Sequence, residues 1–174
     1  MSEPSTAVPA TRLGSLRWAV YAAAAWALVF AAMSFYWAAG GSIGSSTMSD
    51  AIVEPARARE LGFVALLWTT GALKAIAGLL ALALIRPWGR VLPRWIPLTA
   101  TWVAGVGMLL YGGANLLVRA VMAAGLLATP EWMQSAAARW HLLLWDPWWL
   151  LGGALFVMAA WSCGGPGRHR GRRA

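Results

Sequence analysis

The chain has 174 residues, of which 60% are hydrophobic and 11% charged, and its mean hydropathy is +0.61. A soluble domain of this size carries about twice that share of charge, and 13 tryptophans are too many for an ordinary globular core. A disordered or collagen-like chain is excluded, a soluble enzyme is disfavoured, and lipid becomes the expected solvent.

Residues 1–15 are rich in Ser, Thr, Pro and Ala and are expected to be an unstructured N-terminal segment. An apolar run then extends from about Trp18 to Ala39, long enough for the roughly 20 helical residues that cross a bilayer core. Arg12 and Arg17 before it, and Ala38-Ala39-Gly40 after it, resemble a signal peptide. The run is longer than the roughly 7–15 apolar residues of a cleaved leader, however, and an uncleaved anchor is the preferred reading. Gly40-Gly41-Ser42-Ile43-Gly44 has the look of a phosphate loop but follows a membrane helix, not a strand, and is rejected as one. The loop over residues 40–61 is expected to hold a short helix from Ser49 or Asp50 to Glu60.

A second apolar run covers Gly62 to Ile85, closed by Arg86-Pro87-Trp88-Gly89-Arg90 and Leu92-Pro93-Arg94. A third covers Ile96 to Val118. Thr129-Pro130-Glu131 then supplies an N-cap, a proline at the first helical position and an acid in the first turn, so a short interfacial helix is expected toward Arg139. The fourth run is His141 to Cys163, and the glycine-rich basic tail 164–174 is too polar to fold. Because lipid offers the backbone no partners, each run is expected to be helical. The strand alternation of an outer-membrane barrel is absent. The chain therefore reads as an all-α integral membrane protein, a four-helix bundle within residues 16–163.

With the N-terminus in the cytoplasm, the inner side holds Arg12, Arg17, Arg86, Arg90, Arg94, Arg168, Arg170, Arg172 and Arg173; the outer side holds Arg57, Arg59, Arg119 and Arg139. Positive charge in short loops collects on the cytoplasmic side, so both termini are placed inside, in a bacterial plasma membrane. Trp18, Trp88, Trp95 and Trp161 would form an inner aromatic belt, and Trp37, Trp132, Trp140 and Trp145 an outer one. The pI near 11.3 would normally raise nucleic-acid binding, but the arginines flank apolar runs and form no groove-facing stripe, so no nucleic acid is expected. The tail arginines set topology and could also touch anionic lipid.

Polar residues inside the runs are the candidate functional groups. Lys74, in the second run, should lean toward its helix N-terminus and hence outward, on a face shared with Gly71, Ala77 and Gly78. Asp146, in the fourth, is the partner expected for it. Pro147 disfavours helix at the preceding residue, so Asp146 is also expected to be an N-cap, with His141 to Trp145 forming a separate turn above it. Asn115 and Arg119 lie four apart on the third helix, with Tyr111 one turn earlier. Lys74, Tyr111, Asn115, Arg119, His141 and Asp146 would then converge on one polar pocket open to the outer side, either a structural ion pair with its neighbours or a ligand or ion site. His141 and His169 lie too far apart in depth to share a metal, and Cys163 stands alone, so no metal site, disulfide or cofactor is expected. No set of residues is spaced for nucleophilic catalysis.

Phe35-Tyr36-Trp37-Ala38-Ala39-Gly40-Gly41, and the stretch from Arg139 to Gly153 containing Trp145-Asp146-Pro147-Trp148-Trp149, resemble a group of small four-helix bacterial membrane proteins known only as a domain of unknown function. The likeness spans most of residues 16–163. It implies the architecture and brings no activity with it. The leading expectation is a non-enzymatic protein whose outer-leaflet pocket, organised by Lys74 and Asp146, serves helix packing or partner binding. The alternatives are a small transporter or channel subunit using that pocket for a solute or proton, and an enzyme acting on a lipid or quinone headgroup. A transporter of four helices would need a homodimer, with Gly105 and Gly107, or Ala23, Ala27 and Ala31, as the small-residue contact.

Overall fold

The fold is given by a computed structural model that describes residues 17–128 and 130–164. The expectations for the N-terminal segment, for the basic tail beyond Gly164 and for Thr129 as a cap lie outside the described residues. Every regular element among the described residues is helical: α1 (Arg17–Ala38), a short α2 (Asp50–Arg57), α3 (Leu61–Ala83), α4 (Trp95–Ala123) and α5 (Ala136–Gly164). Four of them, all but α2, are long and apolar enough to cross a membrane.

These four alternate in direction and form a ring in chain order: α1 beside α3, α3 beside α4, α4 beside α5, and α5 back against α1. The α1–α3 and α4–α5 pairs are closely packed, whereas α3 meets α4 more loosely and lies diagonal to α5. Small residues make the close approaches possible. Ala19, Ala23, Ala27 and Ala31 form an i,i+4 stripe on α1 that is buried inside the bundle. A side chain at Gly78 of α3 would press on the Ala24 carbonyl and the Ala27 methyl. The alanine stripe is thus spent within the chain and is not free for a second copy. Gly105 is likewise buried, against Phe156 and Val157 of α5, while Gly107 has open space beside it.

Between α1 and α5 the seam is aromatic. Trp26 and Phe30 of α1 pack edge-on at 5.2 Å, Phe30 stacks on Trp145 and meets Trp149 at 5.1 Å, and Trp26 meets Trp148 at 5.6 Å. Outside this seam the polarity is inverted relative to a soluble protein. Leu66, Leu73, Ile76 and Leu79 of α3, and Val103, Leu110 and Leu117 of α4, stand exposed, as lipid-facing residues must. Trp18, Trp88, Trp95 and Trp161 are exposed at one end of the bundle and Trp140 at the other. Trp145 departs from the expected outer belt: it is buried in the core, with its indole N–H donated to Thr47 Oγ1 at 3.3 Å.

Beyond α4 running on to Ala123 and α5 starting at Ala136, three local features differ from the sequence-based expectation. The inter-helix loop helix stops at Arg57, and Arg59 takes a left-handed backbone with φ 54°. The segment after Pro130 makes only a 3₁₀ turn, Glu131–Gln134, and the helix restarts where Ser135 accepts the backbone N–H of Ala138. Lastly, Asp146 is not an N-cap. Its φ of −67° and ψ of −45° are helical, and its N–H donates to the carbonyl of His141 five residues back. His141–Trp145 is therefore a widened π-turn within α5 and not a separate turn above it. Pro147 explains the widening, because it has no N–H to give to Leu143 and its ring would clash with that carbonyl in a regular helix.

The candidate site and its two membrane charges

The π-turn sets the position of Asp146. Its carboxylate is 2% exposed and both oxygens accept hydrogen bonds from one nitrogen, Nη1 of Arg119 on α4, at 2.6 and 2.8 Å. The Arg119 side chain is 17% exposed, so the pair has its carboxylate in the bundle and its cation nearer the surface. The partner expected for Asp146 from sequence was Lys74, and that pairing is not the one the structure makes. Depth alone suggested it, but Lys74 is on α3, diagonal to α5, while Arg119 is on the neighbouring helix α4.

Lys74 finds different company. Its amine donates to Ser34 Oγ at 2.8 Å, and the Ser34 hydroxyl donates in turn to the carbonyl of Phe30 at 3.2 Å. The same amine lies 3.9 Å from the centre of the Phe30 ring, a cation–π contact that low-dielectric surroundings strengthen. Gly71, beside Lys74 on α3, faces Phe35 without a side chain of its own to hold the helices apart. Since Phe30 also packs on Trp145 and Trp149, Lys74 meets aromatic rings on the side from which Asp146 was expected.

Of the other candidates, His141 lies within electrostatic reach of both Arg119 and Asp146, and Tyr111 and Asn115 stand apart from the pair. Asn115 donates back to the Tyr111 carbonyl of its own helix at 2.9 Å. Tyr111 is 58% exposed, with its ring edge-on to Trp149 at 5.3 Å. His141 is half-buried at the head of the π-turn. The six residues therefore do not close on one pocket: Arg119 and Asp146 come together, His141 lies one turn before Asp146, and Lys74 belongs to the α1–α3 seam. Among the described residues no three His, Cys, Asp or Glu are grouped as metal ligands.

At the same end of the bundle lies a cavity of about 260 Å³ that no single motif announced. Trp37 of α1, Met48, Ile52 and Val53 around α2, and Phe63 and Leu67 of α3 form its apolar wall, and Arg57 and Arg59 join them. The loop over this cavity is pinned by side chains: Trp37 Nε1 donates to the Ile43 carbonyl at 2.9 Å, and the Ile43 N–H donates to Tyr36 Oη at 3.2 Å. Arg59 donates to the Ala38 carbonyl at 2.7 Å, where a cation complements the C-terminal end of the α1 dipole. Its left-handed backbone is the local strain that this contact helps to hold.

The family model described as Protein of unknown function (DUF3995) matches residues 27–156, three quarters of the chain. The chain belongs to this family. The DUF3995 region takes in Phe30, Ser34, Lys74, Arg119 and Asp146, together with the loop cavity, and ends within α5. No curated protein and no solved structure matches the chain. The membership agrees with the resemblance of the Trp145-Asp146-Pro147 segment and supplies a family without an activity.

Proposed function

We propose that this DUF3995 protein is a non-enzymatic multi-pass membrane protein, with both termini in the cytoplasm, that binds a small anionic amphiphile at its extracytoplasmic end. The observation that carries the reading is the loop cavity, with an apolar wall and Arg57 and Arg59 among its lining residues, a combination suited to a hydrocarbon body and one negative group; Arg57 also lies 3.9 Å from Glu54, and Arg59 donates to the Ala38 carbonyl. The orientation is supported by Arg17, Arg86, Arg90 and Arg94 at the opposite end, where no carboxylate stands among the described residues. In this reading the Arg119–Asp146 pair is a structural tie. The Asp146 carboxylate is 2% exposed and both its oxygens accept from Arg119, which supports a structural role for the pair.

The test uses octanoate, octanol and octylammonium below their micellar concentrations, with thermal unfolding of the purified protein in dodecylmaltoside as the readout. Octanoate is expected to raise the midpoint in a saturable way and octylammonium to leave it unchanged. Ile52→Trp, which fills the cavity, should abolish the shift, and Arg57→Gln should weaken it. Equal shifts for all three amphiphiles, or a shift that survives Ile52→Trp, would reject the cavity as the site.

A further inference from the structure

The opposite end of the bundle carries a second concavity of different character. Arg17 at the start of α1, Arg86 and Arg90 in the turn after α3, and Arg94 before α4 line a cavity of about 530 Å³, with Leu84 and Ile85 as its apolar floor. The turn is seated tightly, because any side chain at Gly89 would run into the Ala83 carbonyl. Arg94 donates to the Cys163 carbonyl at the end of α5. Arg86 lies over the Tyr21 ring at 5.5 Å, within the range of a cation–π contact.

Among the described residues the charge has no counterpart nearby. The described carboxylates are Asp50, Glu54, Glu60, Glu131 and Asp146, all toward the other end. Four arginines line this one cavity, so an anion placed among them is attracted by all four. Trp18, Trp88 and Trp95 stand exposed at this same end, the side chain that collects at the level of lipid headgroups. An anion arriving here with an apolar tail would also meet Leu84 and Ile85, which line the same cavity.

We infer that this arginine-lined cavity is a binding site for the phosphate of an anionic phospholipid. The inference rests on the four helices crossing a membrane, and not on the orientation or on the extracytoplasmic cavity, so it stands or falls separately from both. Basic pockets between membrane helices take phosphate headgroups in this way, with each basic residue near an anionic surface adding attraction. Guanidinium groups suit the task, because their paired N–H donors match two phosphate oxygens.

The experiment titrates the full-length protein in dodecylmaltoside with phosphatidylglycerol, phosphatidylcholine or inorganic phosphate, and counts retained lipid by native mass spectrometry. Saturable retention of phosphatidylglycerol over phosphatidylcholine is expected. Arg86→Gln with Arg90→Gln should weaken it about 30-fold, while Arg86→Lys with Arg90→Lys should keep most of it. Arg90→Gln alone, at an exposed side chain, serves as the variant least able to disturb folding. Neutralising Arg168, Arg170, Arg172 and Arg173 together should leave the preference in place, which separates the cavity from the tail. Equal retention of the two lipids, or a preference that follows the tail and ignores Arg86 and Arg90, overturns the inference. Displacement of phosphatidylglycerol by about 10 mM inorganic phosphate, at constant ionic strength, would overturn it too, by making a free anion the ligand.

Discussion

Replacing Arg119 by Met is expected to lower the unfolding free energy by about 3–5 kcal/mol, the usual cost of removing one partner from a buried ion pair. The cost should be unequal across the pair. Asp146 is 2% exposed, so when Arg119 is lost its carboxylate is left buried and uncompensated. Arg119, at 17% exposed, can lean outward when Asp146 becomes Asn, and that variant should lose less. The double variant Arg119→Met with Asp146→Leu should recover most of the loss, since apolar groups of similar volume replace a buried pair at little cost. Equilibrium unfolding in mixed dodecylmaltoside and dodecyl sulfate micelles, followed by tryptophan fluorescence, gives all the required values. If the double variant lost the sum of what Arg119→Met and Asp146→Leu each lose alone, the tie would be disproved.

The same assay distinguishes the observed pairing from the one suggested by depth. Lys74→Met removes a donor from Ser34 and a cation from the Phe30 ring, and shares no direct partner with Asp146. Groups without shared partners have nearly additive effects, within about 0.5 kcal/mol. Lys74→Met with Asp146→Asn should therefore show no coupling, whereas Lys74→Met with Ser34→Ala should.

Much of this architecture was legible in the residues alone. Four apolar runs, each about the thickness of a bilayer in helical length, leave the backbone no choice but helix, and α1, α3, α4 and α5 follow those runs. The site was less legible, for a reason that can be stated in terms of Lys74. Hydropathy and rise per residue place a side chain along the bundle axis but say nothing of its angle around the ring. In an up-and-down bundle, consecutive helices are neighbours and the second and fourth lie diagonal. Applied to Asp146 on the fourth, that rule favours Arg119 on the third over Lys74 on the second. The signal for the true pair was therefore present, in chain order, and depth alone hid it. Pro147 illustrates a different gap. A proline in a helical run signals an interruption, but whether the chain breaks or widens into a π-turn depends on whether packing on both sides continues. Here Trp145 and Trp149 pack on Phe30 from either side of the proline, and the helix runs on. The loop cavity depends on long-range contacts of α1, α2 and α3, to which local patterns are blind.

The α4–α5 seam that presents Arg119 to Asp146 depends on glycine, and its disruption should have the other large effect. A Cβ on Gly153 would lie 2.8 Å from the Leu109 nitrogen and 2.9 Å from the Gly105 carbonyl oxygen. Those are backbone atoms, so no rotamer change relieves the overlap and the two helices must move apart. Gly105 faces the Val157 nitrogen in the same way at 2.8 Å. Gly153→Val is therefore expected to cost about 3 kcal/mol, the upper end of ordinary overpacking. Because separating the helices also pulls Arg119 away from Asp146, combining Gly153→Val with Asp146→Asn should cost less than the sum of the two. Gly107→Ala is the control on the same helix, with nothing within 4 Å of the added methyl. It should be neutral, or stabilising by up to about 1 kcal/mol through helix propensity alone. A tolerated Gly153→Val would mean that the seam is looser than these distances, and that Arg119 reaches Asp146 by side-chain flexibility and not by the close approach of α4 and α5.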